Sequence, residues 1–275
     1  MPLQLNGPVV LAGAGKMGAA MLEGWLEQGL DPASVLIQDP NLAGAALDLA
    51  NRHGIKTAAE LGPLDAAPAV IVAAVKPQVM DDVFPALAKL AGPETVVVSI
   101  AAGKTLASFE RHLPPGAAVI RAMPNTPAAI GRGITGAVAN AHATQAQKDV
   151  CESLLGAVGE VVWVDDESLI DAVTAVSGSG PAYVFLLAEV MAEAGVAAGL
   201  DPATATRLAR ATVSGSGELL HRSDTDAETL RRNVTSPGGT TAAALAVLMR
   251  EGSGLKELMQ EAVLAAKKRG RELGR

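Results

Sequence analysis

The sequence has few aromatic residues and no excess of basic ones. Its 275 residues include three Phe, two Trp and one Tyr, so rings on which single-stranded nucleic acid could stack are scarce. The 22 basic and 29 acidic residues give a net charge of −7 and a pI of about 5.2. A protein that binds phosphate backbones needs a basic excess, and we therefore predict no nucleic-acid partner.

A disulfide framework and a convincing membrane span are also missing. Cys151 is the single cysteine and cannot form an internal disulfide, which indicates a reducing cytoplasm. The best candidate for a membrane span, residues 172–188, contains a Ser-Gly-Ser-Gly-Pro segment and is too short to cross a bilayer. No basic signal-peptide start precedes Gly13. We expect a cytoplasmic protein with no membrane partner.

The length of the chain suggests about two domains. Up to residue 164, nearly continuous apolar runs alternate with helical patterns, which predicts a mostly parallel α/β sheet covered on both faces. We predict strands at residues 9–12, 35–38, 70–75, 96–100, 118–121 and 160–164. The helices predicted in this part are 17–28, 43–53, 80–90 and 144–157. Residues 1–164 are therefore interpreted as a doubly wound, Rossmann-type dinucleotide-binding domain.

After Asp165-Asp166-Glu167 the β-rich runs disappear and Ala-rich helical segments follow. Asp201-Pro202 is a good helix start, with Asp as the cap and Pro in the first turn. The predicted helices are 168–176, 181–199, 202–221, 227–233, 241–250 and 255–273. We therefore place the domain boundary at 164/165, with an all-helical domain over residues 165–275.

The segment from Gly13 to Gly18 fits the pattern G-x-G-x-x-G between a predicted strand and a predicted helix. In this context the first glycine permits the tight turn, the second lets the backbone approach a pyrophosphate, and the third lets helix and strand pack closely. The helix N-terminus then offers N–H groups to the phosphates. The alternative interpretation is a tight turn that binds no ligand.

Asp39 ends the second predicted strand, 21 positions after Gly18 (39 − 18). A carboxylate at this place can accept hydrogen bonds from the adenosine ribose and would repel a 2′-phosphate, which favours NAD over NADP. Asp39-Pro40-Asn41 can equally be a turn in which Asp39 caps the next helix. Both interpretations remain open from the sequence.

Two further strand exits carry polar groups. Lys76 and Pro77 follow the strand at 70–75, and Met123 and Asn125 lie in a segment stiffened by two prolines after the strand at 118–121. Ligands of open α/β sheets lie beyond the carboxyl ends of the strands, so both segments are candidates for cofactor contacts. The alternatives are a surface lysine and an ordinary turn.

Two motifs of the helical half combine small and hydroxyl residues. Residues 171–182 break one helix and start another, and residues 234–241 (Val-Thr-Ser-Pro-Gly-Gly-Thr-Thr) form a Gly-rich turn before a helix. The N–H groups and hydroxyls of the second motif suit a carboxylate or another anion. Helix capping is the alternative for the first motif.

The sequence offers no convincing metal or hydrolase site. Glu189 and Glu193 are four residues apart, but no His accompanies them, so an exposed acidic stripe is the better interpretation and we predict no metal. The four histidines are scattered without ligand spacing. Two partial Gly-x-Ser-x-Gly segments do not follow strands, which disfavours a nucleophile elbow.

Taken together, the glycine-rich segment, the strand exits and the motifs at 171–182 and 234–241 resemble those of the Δ1-pyrroline-5-carboxylate reductase family over nearly the whole chain. The resemblance implies reduction of the C=N bond of pyrroline-5-carboxylate to L-proline with NADPH or NADH, the last step of proline biosynthesis. It also implies a Rossmann domain followed by a helical dimerisation domain. The protein would then be a homodimer or larger homo-oligomer with its active site at the subunit interface.

The resemblance assigns roles to residues of this sequence. The implied cofactor-binding residues are Gly13, Ala14, Gly15, Lys16, Met17, Gly18, Asp39, Ala74, Lys76, Pro77, Met123, Asn125 and, from the partner subunit, Asn233. The implied substrate-binding residues are Glu167, Thr174, Ser236, Gly239, Thr240 and Thr241. Thr241 is also the implied catalytic residue, orienting the imine nitrogen and helping proton delivery. Asp39 departs from the small or hydroxyl residue that many relatives place near the 2′-phosphate of NADP.

Four other functions compete with this hypothesis. A β-hydroxyacid dehydrogenase uses a lysine on the interdomain helix, but no lysine occurs between Lys148 and Lys256. A ketol-acid reductoisomerase needs a two-metal carboxylate site, which Glu189 and Glu193 alone do not make. A nucleotide-binding protein without catalysis would not need the second anion site at 234–241. Another NAD(P)-dependent imine oxidoreductase would share most of these features.

Overall fold

A computed structural model describes residues 5–274, and its centre is an eight-stranded sheet. The strands are β1 (Val9–Ala12), β2 (Val35–Gln38), β3 (Lys56–Ala58), β4 (Val70–Ala73), β5 (Val96–Ser99), β6 (Ala118–Met123), β7 (Gly133–Ala139) and β8 (Gly159–Trp163). Their order in the sheet is 3-2-1-4-5-6-7-8. Strands β1 to β6 are parallel, β7 is antiparallel to β6, and β8 is parallel to β7.

The predicted doubly wound fold is confirmed. Strand β1 lies between β2 and β4, so the chain reverses its winding direction there. The strands at 9–12 and 35–38 have the predicted bounds, while β3 and β7 were not predicted. Strand β3 is a short edge strand with an exposed lysine, and β7 contains two glycines, so neither has the continuous apolar run of a central strand.

Helices cover both faces of the sheet. They are α1 (Lys16–Glu27), α2 (Gly44–His53), α3 (Met80–Ala88), α4 (Leu106–Glu110), α5 (Gln145–Gly156) and α6 (Ile170–Val173). A capping box fixes the start of α5, because Thr144 and Gln147 each satisfy a backbone N–H of the other. The five-residue helix α4 was not predicted, since one turn and a half carries too little periodicity.

The strands are buried on both faces, which explains their nearly continuous apolar sequence. Val9 and Leu11 of β1 belong to the core on one face, with Trp25 of α1. Val10 of β1 belongs to the core on the other face, with Phe84 of α3. These residues are at most 1% exposed. The sheet domain therefore has two hydrophobic layers.

The few aromatic rings are used inside these layers. Trp25 is fully buried, and its Nε1–H donates to the Leu154 carbonyl oxygen at 2.8 Å. Phe84 meets Phe109 edge to face, with ring centroids 4.8 Å apart. Cys151 is buried as well, and desolvation raises the pKa of its thiol, which keeps it protonated and unreactive.

The chain separates into two compact units at Gly178/Ser179, and the C-terminal segment from Ala266 returns to the first unit. This division lies later than the predicted boundary at 164/165. Residues 165–178 pack with the sheet, because Gly136 of β7 leaves the space that the side chain of Val173 fills. The change of composition after residue 164 coincides with the end of the last strand, β8.

The second unit, Ser179–Ala265, is helical. Its helices are α7 (Gly180–Ala197), α8 (Pro202–Arg222), α9 (Ala227–Asn233), α10 (Thr240–Leu248) and the first part of α11 (Leu255–Leu273). Helices α7 and α8 pack closely where Gly195 faces Ala205, and the Asp201 carboxylate caps α8 as predicted.

No residue of α7 is buried within the chain, and Phe185 is 67% exposed. Among residues 5–274, one helical run, Glu167–Ala197, is long and apolar enough to cross a membrane by length and composition alone. Helices that pack against a second protein chain pass the same test. Exposed apolar surface of this extent marks an interaction site.

Candidate functional site

The three glycines of the first motif have separate structural roles. Gly13 has a φ of +87°, and a Cβ there would lie 2.7 Å from the backbone of Ala74 and Val75. A Cβ on Gly18 would lie 2.5 Å from the Gly13 carbonyl oxygen. By contrast, a Cβ on Gly15 would have no neighbour within 4 Å. Gly13 and Gly18 thus serve packing, and Gly15 borders open space.

The N-terminus of α1 lies beside this open space. Gly15 is its N-cap residue, and no side chain caps the helix. The first N–H groups of α1 are therefore available to an external anion. A pyrophosphate fits here on two grounds: the helix end lacks a capping side chain, and the glycine next to it leaves room for a close approach. Lys16 is exposed in the same turn.

A groove of about 620 Å³ begins at this loop and runs along the carboxyl ends of the strands. Of the predicted cofactor residues, Gly13, Gly15, Asp39, Ala74 and Lys76 line it. They follow β1, β2 and β4, which are neighbours at the place where the winding direction reverses. Ligands of open α/β sheets bind at this position.

Pro77 does not line the groove. It opens the 3-10 turn Pro77–Val79 and borders a separate cavity of about 780 Å³, together with Lys104 and Arg111. Both cations pair with Asp81, at 2.7 Å and 3.1 Å. Two cations and one carboxylate thus line this second cavity, which leaves one positive charge uncompensated.

The groove also contains residues that the sequence did not point to. Asn41, Glu60 and Asp82 line it. Glu60 lies just beyond the unpredicted strand β3, so it was not expected at the carboxyl edge of the sheet. A predicted strand at residues 56–58 would have placed Glu60 at this edge of the sheet.

We expect alanine at Gly13 and at Gly15 to have opposite effects. Gly13→Ala should destabilise the fold by about 1–3 kcal/mol, because its positive φ and the adjacent backbone disfavour a side chain. Gly15→Ala should change stability by less than about 1 kcal/mol and weaken dinucleotide binding, since the methyl group enters the groove. Thermal unfolding and dinucleotide titration measure the two effects. Equal stability of the two variants would contradict this assignment.

Beyond β6, Asn125 connects two backbone segments. Its Oδ1 accepts from the Ile134 N–H at 2.9 Å, and its Nδ2 donates to the Ser177 carbonyl oxygen at 3.1 Å. The side chain is 9% exposed. Ser177 belongs to the π-helical segment Thr174–Gly178, a geometry that is frequent at functional sites. The Asn125 amide thus holds this segment next to the strand ends, and Met123 lies beside Gly178.

Two of the predicted substrate residues lie in the first unit. Glu167 pairs with the buried guanidinium of Arg121 at 3.1 Å, and its Oε1 also accepts from the Leu106 N–H at 2.8 Å. Thr174 donates its hydroxyl hydrogen to the Ile170 carbonyl oxygen at 2.8 Å. Both side chains are therefore anchored within the unit.

The remaining predicted substrate residues lie in the second unit, around the N-terminus of α10. Gly238 has a φ of +69°, and the Gly239 N–H donates to the Ser236 carbonyl oxygen at 3.1 Å, which closes a tight turn. Gly239 is the N-cap of α10, and no side chain caps this helix. Thr240 and Thr241 occupy its first turn. Helix N–H groups and hydroxyls thus converge on one small region that suits a carboxylate.

Asn233 ends α9 directly before this turn and is exposed. In the part of the chain that the structure describes, no group of three or more His, Cys, Asp or Glu could hold a metal ion. Glu189 and Glu193 are exposed on α7.

Both halves of the chain match known families. A family model for pyrroline-5-carboxylate reductase dimerisation matches residues 167–273, and one for coenzyme F420-dependent NADP oxidoreductases matches residues 8–103. The chain is 42% identical to the pyrroline-5-carboxylate reductase of Pseudomonas aeruginosa, over 96% of each protein. It is 40% identical to that of Synechocystis over the full length of both.

Solved structures agree with this similarity. The pyrroline-5-carboxylate reductase of Coxiella burnetii is 34% identical, with a TM-score of 0.87 over 98% of this chain and 99% of that one. The Plasmodium falciparum enzyme, solved with NADP bound, is 26% identical, with a TM-score of 0.79 over 99% of this chain and 100% of that one. The chain therefore belongs to the pyrroline-5-carboxylate reductase family.

Proposed function

We propose that this protein reduces the C=N bond of 1-pyrroline-5-carboxylate to L-proline with NAD(P)H, the last step of proline biosynthesis. The observation that carries the proposal is the presence of two complementary sites in one chain of this family. One is a groove at the switch point of the sheet, and the other is an uncapped helix N-terminus surrounded by hydroxyls. The first suits a dinucleotide, and the second suits the carboxylate of a small substrate.

The division of labour follows from the reaction. NAD(P)H supplies the hydride when bound, so the protein must bind, orient and polarise the substrate. A protonated imine is already electrophilic, and no strong enzymic acid is required. The first N–H groups of α10, with Ser236, Gly239 and Thr240, would hold the substrate carboxylate. The Thr241 hydroxyl would form a hydrogen bond with the ring nitrogen of the substrate. It would thereby orient the imine and help deliver a proton to that nitrogen.

The resemblance makes Glu167 and Thr174 further candidates for substrate contacts. Oε1 of Glu167 already accepts two hydrogen bonds, so Oε2 is the oxygen that remains for the substrate. The Thr174 hydroxyl donates to Ile170 and would act toward the substrate as an acceptor only. Asn125 and Met123 would form the nicotinamide side of the site. Asn125 would contribute by holding the backbone at Ile134 and Ser177 in position.

We place the active site at the interface between two subunits. The family is one that forms homo-oligomers, and α7 has no buried residue within a single chain. The groove of one subunit would then face Asn233 and the loop at 234–241 of its partner. The single, buried and unreactive cysteine supports a reducing cytoplasm as the location.

Complementation in mixed oligomers tests the interface site. Gly15→Val disables the groove and Thr241→Ala disables the loop, so each variant alone should be nearly inactive. After mixing and reassortment, a dimer with one subunit of each kind has one intact groove facing one intact loop. We expect about a quarter of wild-type activity to return. No recovery in verified mixed dimers would show that each site belongs to a single chain.

The reaction itself is tested by loss of NADH or NADPH absorbance when pyrroline-5-carboxylate is added. Substrate-dependent oxidation with formation of L-proline is the expected result. A nucleotide-binding protein without catalysis would instead show thermal stabilisation by the dinucleotide and no turnover. An assay with β-hydroxyacids as substrates, run in parallel, tests the alternative that the protein is a β-hydroxyacid dehydrogenase. We expect no reaction in that assay.

A further inference from the structure

The end of the groove formed beyond β2 and β3 is lined by acidic groups. Asp39 follows β2 directly, and Glu60 follows β3 two residues after its last residue, Ala58. The two strands are parallel neighbours, with Gln38 opposite Ala58, so both carboxylates lie at the same edge of the sheet. The pyrophosphate site at Gly15 lies next to this end. An adenosine ribose attached to that pyrophosphate would reach this acidic end.

The Asp39 carboxylate is held in place by both of its oxygens. Oδ2 accepts from the Ala14 N–H of the glycine loop at 2.8 Å, and Oδ1 accepts from the Asn41 N–H at 2.8 Å. The turn uses one oxygen and the other faces the glycine loop. Asp39 does not cap the next helix, as one interpretation had it, because the N-cap of α2 is Ala43 and no side chain caps that helix. A carboxylate has about four acceptor positions, so each oxygen retains capacity for a ligand hydroxyl. Asp39 is therefore fixed as an acceptor at the groove.

No Lys or Arg of the described residues lines this end of the groove. Between Lys16 and Arg52 the sequence contains no Lys or Arg. Among the described residues that line the groove, Lys76 is the one cation, and it follows β4 on the other side of β1 from Asp39. A 2′-phosphate adds about 1.5 to 2 negative charges near neutral pH. It would meet Asp39 and Glu60 without a guanidinium or ammonium group beside it.

We infer that this chain selects NADH over NADPH and that Asp39 is the residue that determines the choice. The inference rests on the proposed function and refines its cofactor. A ribose 2′-hydroxyl can donate to the fixed carboxylate, whereas a 2′-phosphate is repelled by it and cannot donate in its place. The structure of the P. falciparum relative holds NADP, so the preference would differ within the family.

Equilibrium binding tests the inference without turnover. We would titrate the full-length protein with NADH and NADPH by fluorescence, and with ADP-ribose and 2′-phospho-ADP-ribose by calorimetry. The non-phosphorylated member of each pair should bind at least about tenfold more tightly. Asp39→Asn should reduce this ratio, mainly by tightening the 2′-phosphorylated ligand. Asp65→Asn, which removes an exposed carboxylate outside the groove, should leave the ratio unchanged.

The outcomes distinguish the inference from the proposed function. Equal binding, or tighter NADPH binding, by the wild-type protein would overturn the preference and leave the reductase assignment intact. A strong NADH preference that persists in a folded Asp39→Asn variant would overturn the role of Asp39. Failure of all four ligands to bind would remove the groove as the cofactor site, and with it both the inference and the proposed function. The comparison of the four ligands with the wild-type protein tests the preference even if the Asp39→Asn variant does not fold.

Discussion

Replacing Thr241 by alanine should lower kcat/KM for pyrroline-5-carboxylate by about 10- to 100-fold. A hydrogen bond to a charged group contributes about 1.5–3 kcal/mol, and this range converts to that loss if the bond forms in the transition state. Thr241 is half-buried in the first turn of α10. Removing its hydroxyl and methyl groups therefore creates no large cavity. The fall should therefore appear in kcat/KM with the unfolding temperature nearly unchanged.

Two variants define the Thr241 experiment. Thr241→Ser keeps the hydroxyl and should retain most of the activity. Thr206→Ala removes an exposed threonine of α8, outside the loop, and should be close to wild type. A Thr241→Ala enzyme within about twofold of wild type would leave less than roughly half a kcal/mol of transition-state stabilisation to this hydroxyl. The catalytic role assigned to Thr241 would then be wrong.

Glu167→Ala should lower the free energy of unfolding by about 2–3 kcal/mol. Arg121 is only 7% exposed, and removal of its partner leaves a buried guanidinium uncompensated. The Leu106 N–H at the start of α4 also loses its acceptor. Because the Glu167 side chain is itself 29% exposed, water reaches the pair and the loss lies below that of a fully buried ion pair.

Unfolding of the variants should be compared at one protein concentration, since the family forms oligomers. Glu167→Gln keeps an acceptor for the Leu106 N–H and should lie between wild type and Glu167→Ala. Glu160→Ala, at an exposed position of β8, should stay within about 0.5 kcal/mol of wild type. Unchanged stability of Glu167→Ala would contradict the structural role. A raised KM for the substrate in Glu167→Gln would identify the substrate contact separately.

The sequence predicted the sheet domain well because both of its signals are local. Central strands such as Val9–Ala12 are continuous apolar runs, and Gly13 to Gly18 follows the first of them at once. The groove residues Asp39 and Lys76 were found for the same reason, since each ends a recognisable strand. A topology rule then placed all of these groups at one edge of the sheet.

What the sequence could not predict depends on contacts between distant residues. Strand β3 is defined by its pairing with β2 rather than by its own composition, and Glu60 was missed with it. The Arg121–Glu167 ion pair joins residues 46 positions apart. The π-helical segment at 174–178 is held by Asn125 from another loop. No pattern within a short window contains this information.

The exposed helix α7 has a consequence for how this protein holds together. Helix α7 packs against α8, but none of its residues is buried within one chain, and the family forms dimers. We therefore expect folding of this part to be coupled to association. Dilution alone would then lower the melting temperature. A bound dinucleotide and a second subunit would each raise it, because both bind the folded state. The stability of this chain is thus a property of its concentration as much as of its sequence.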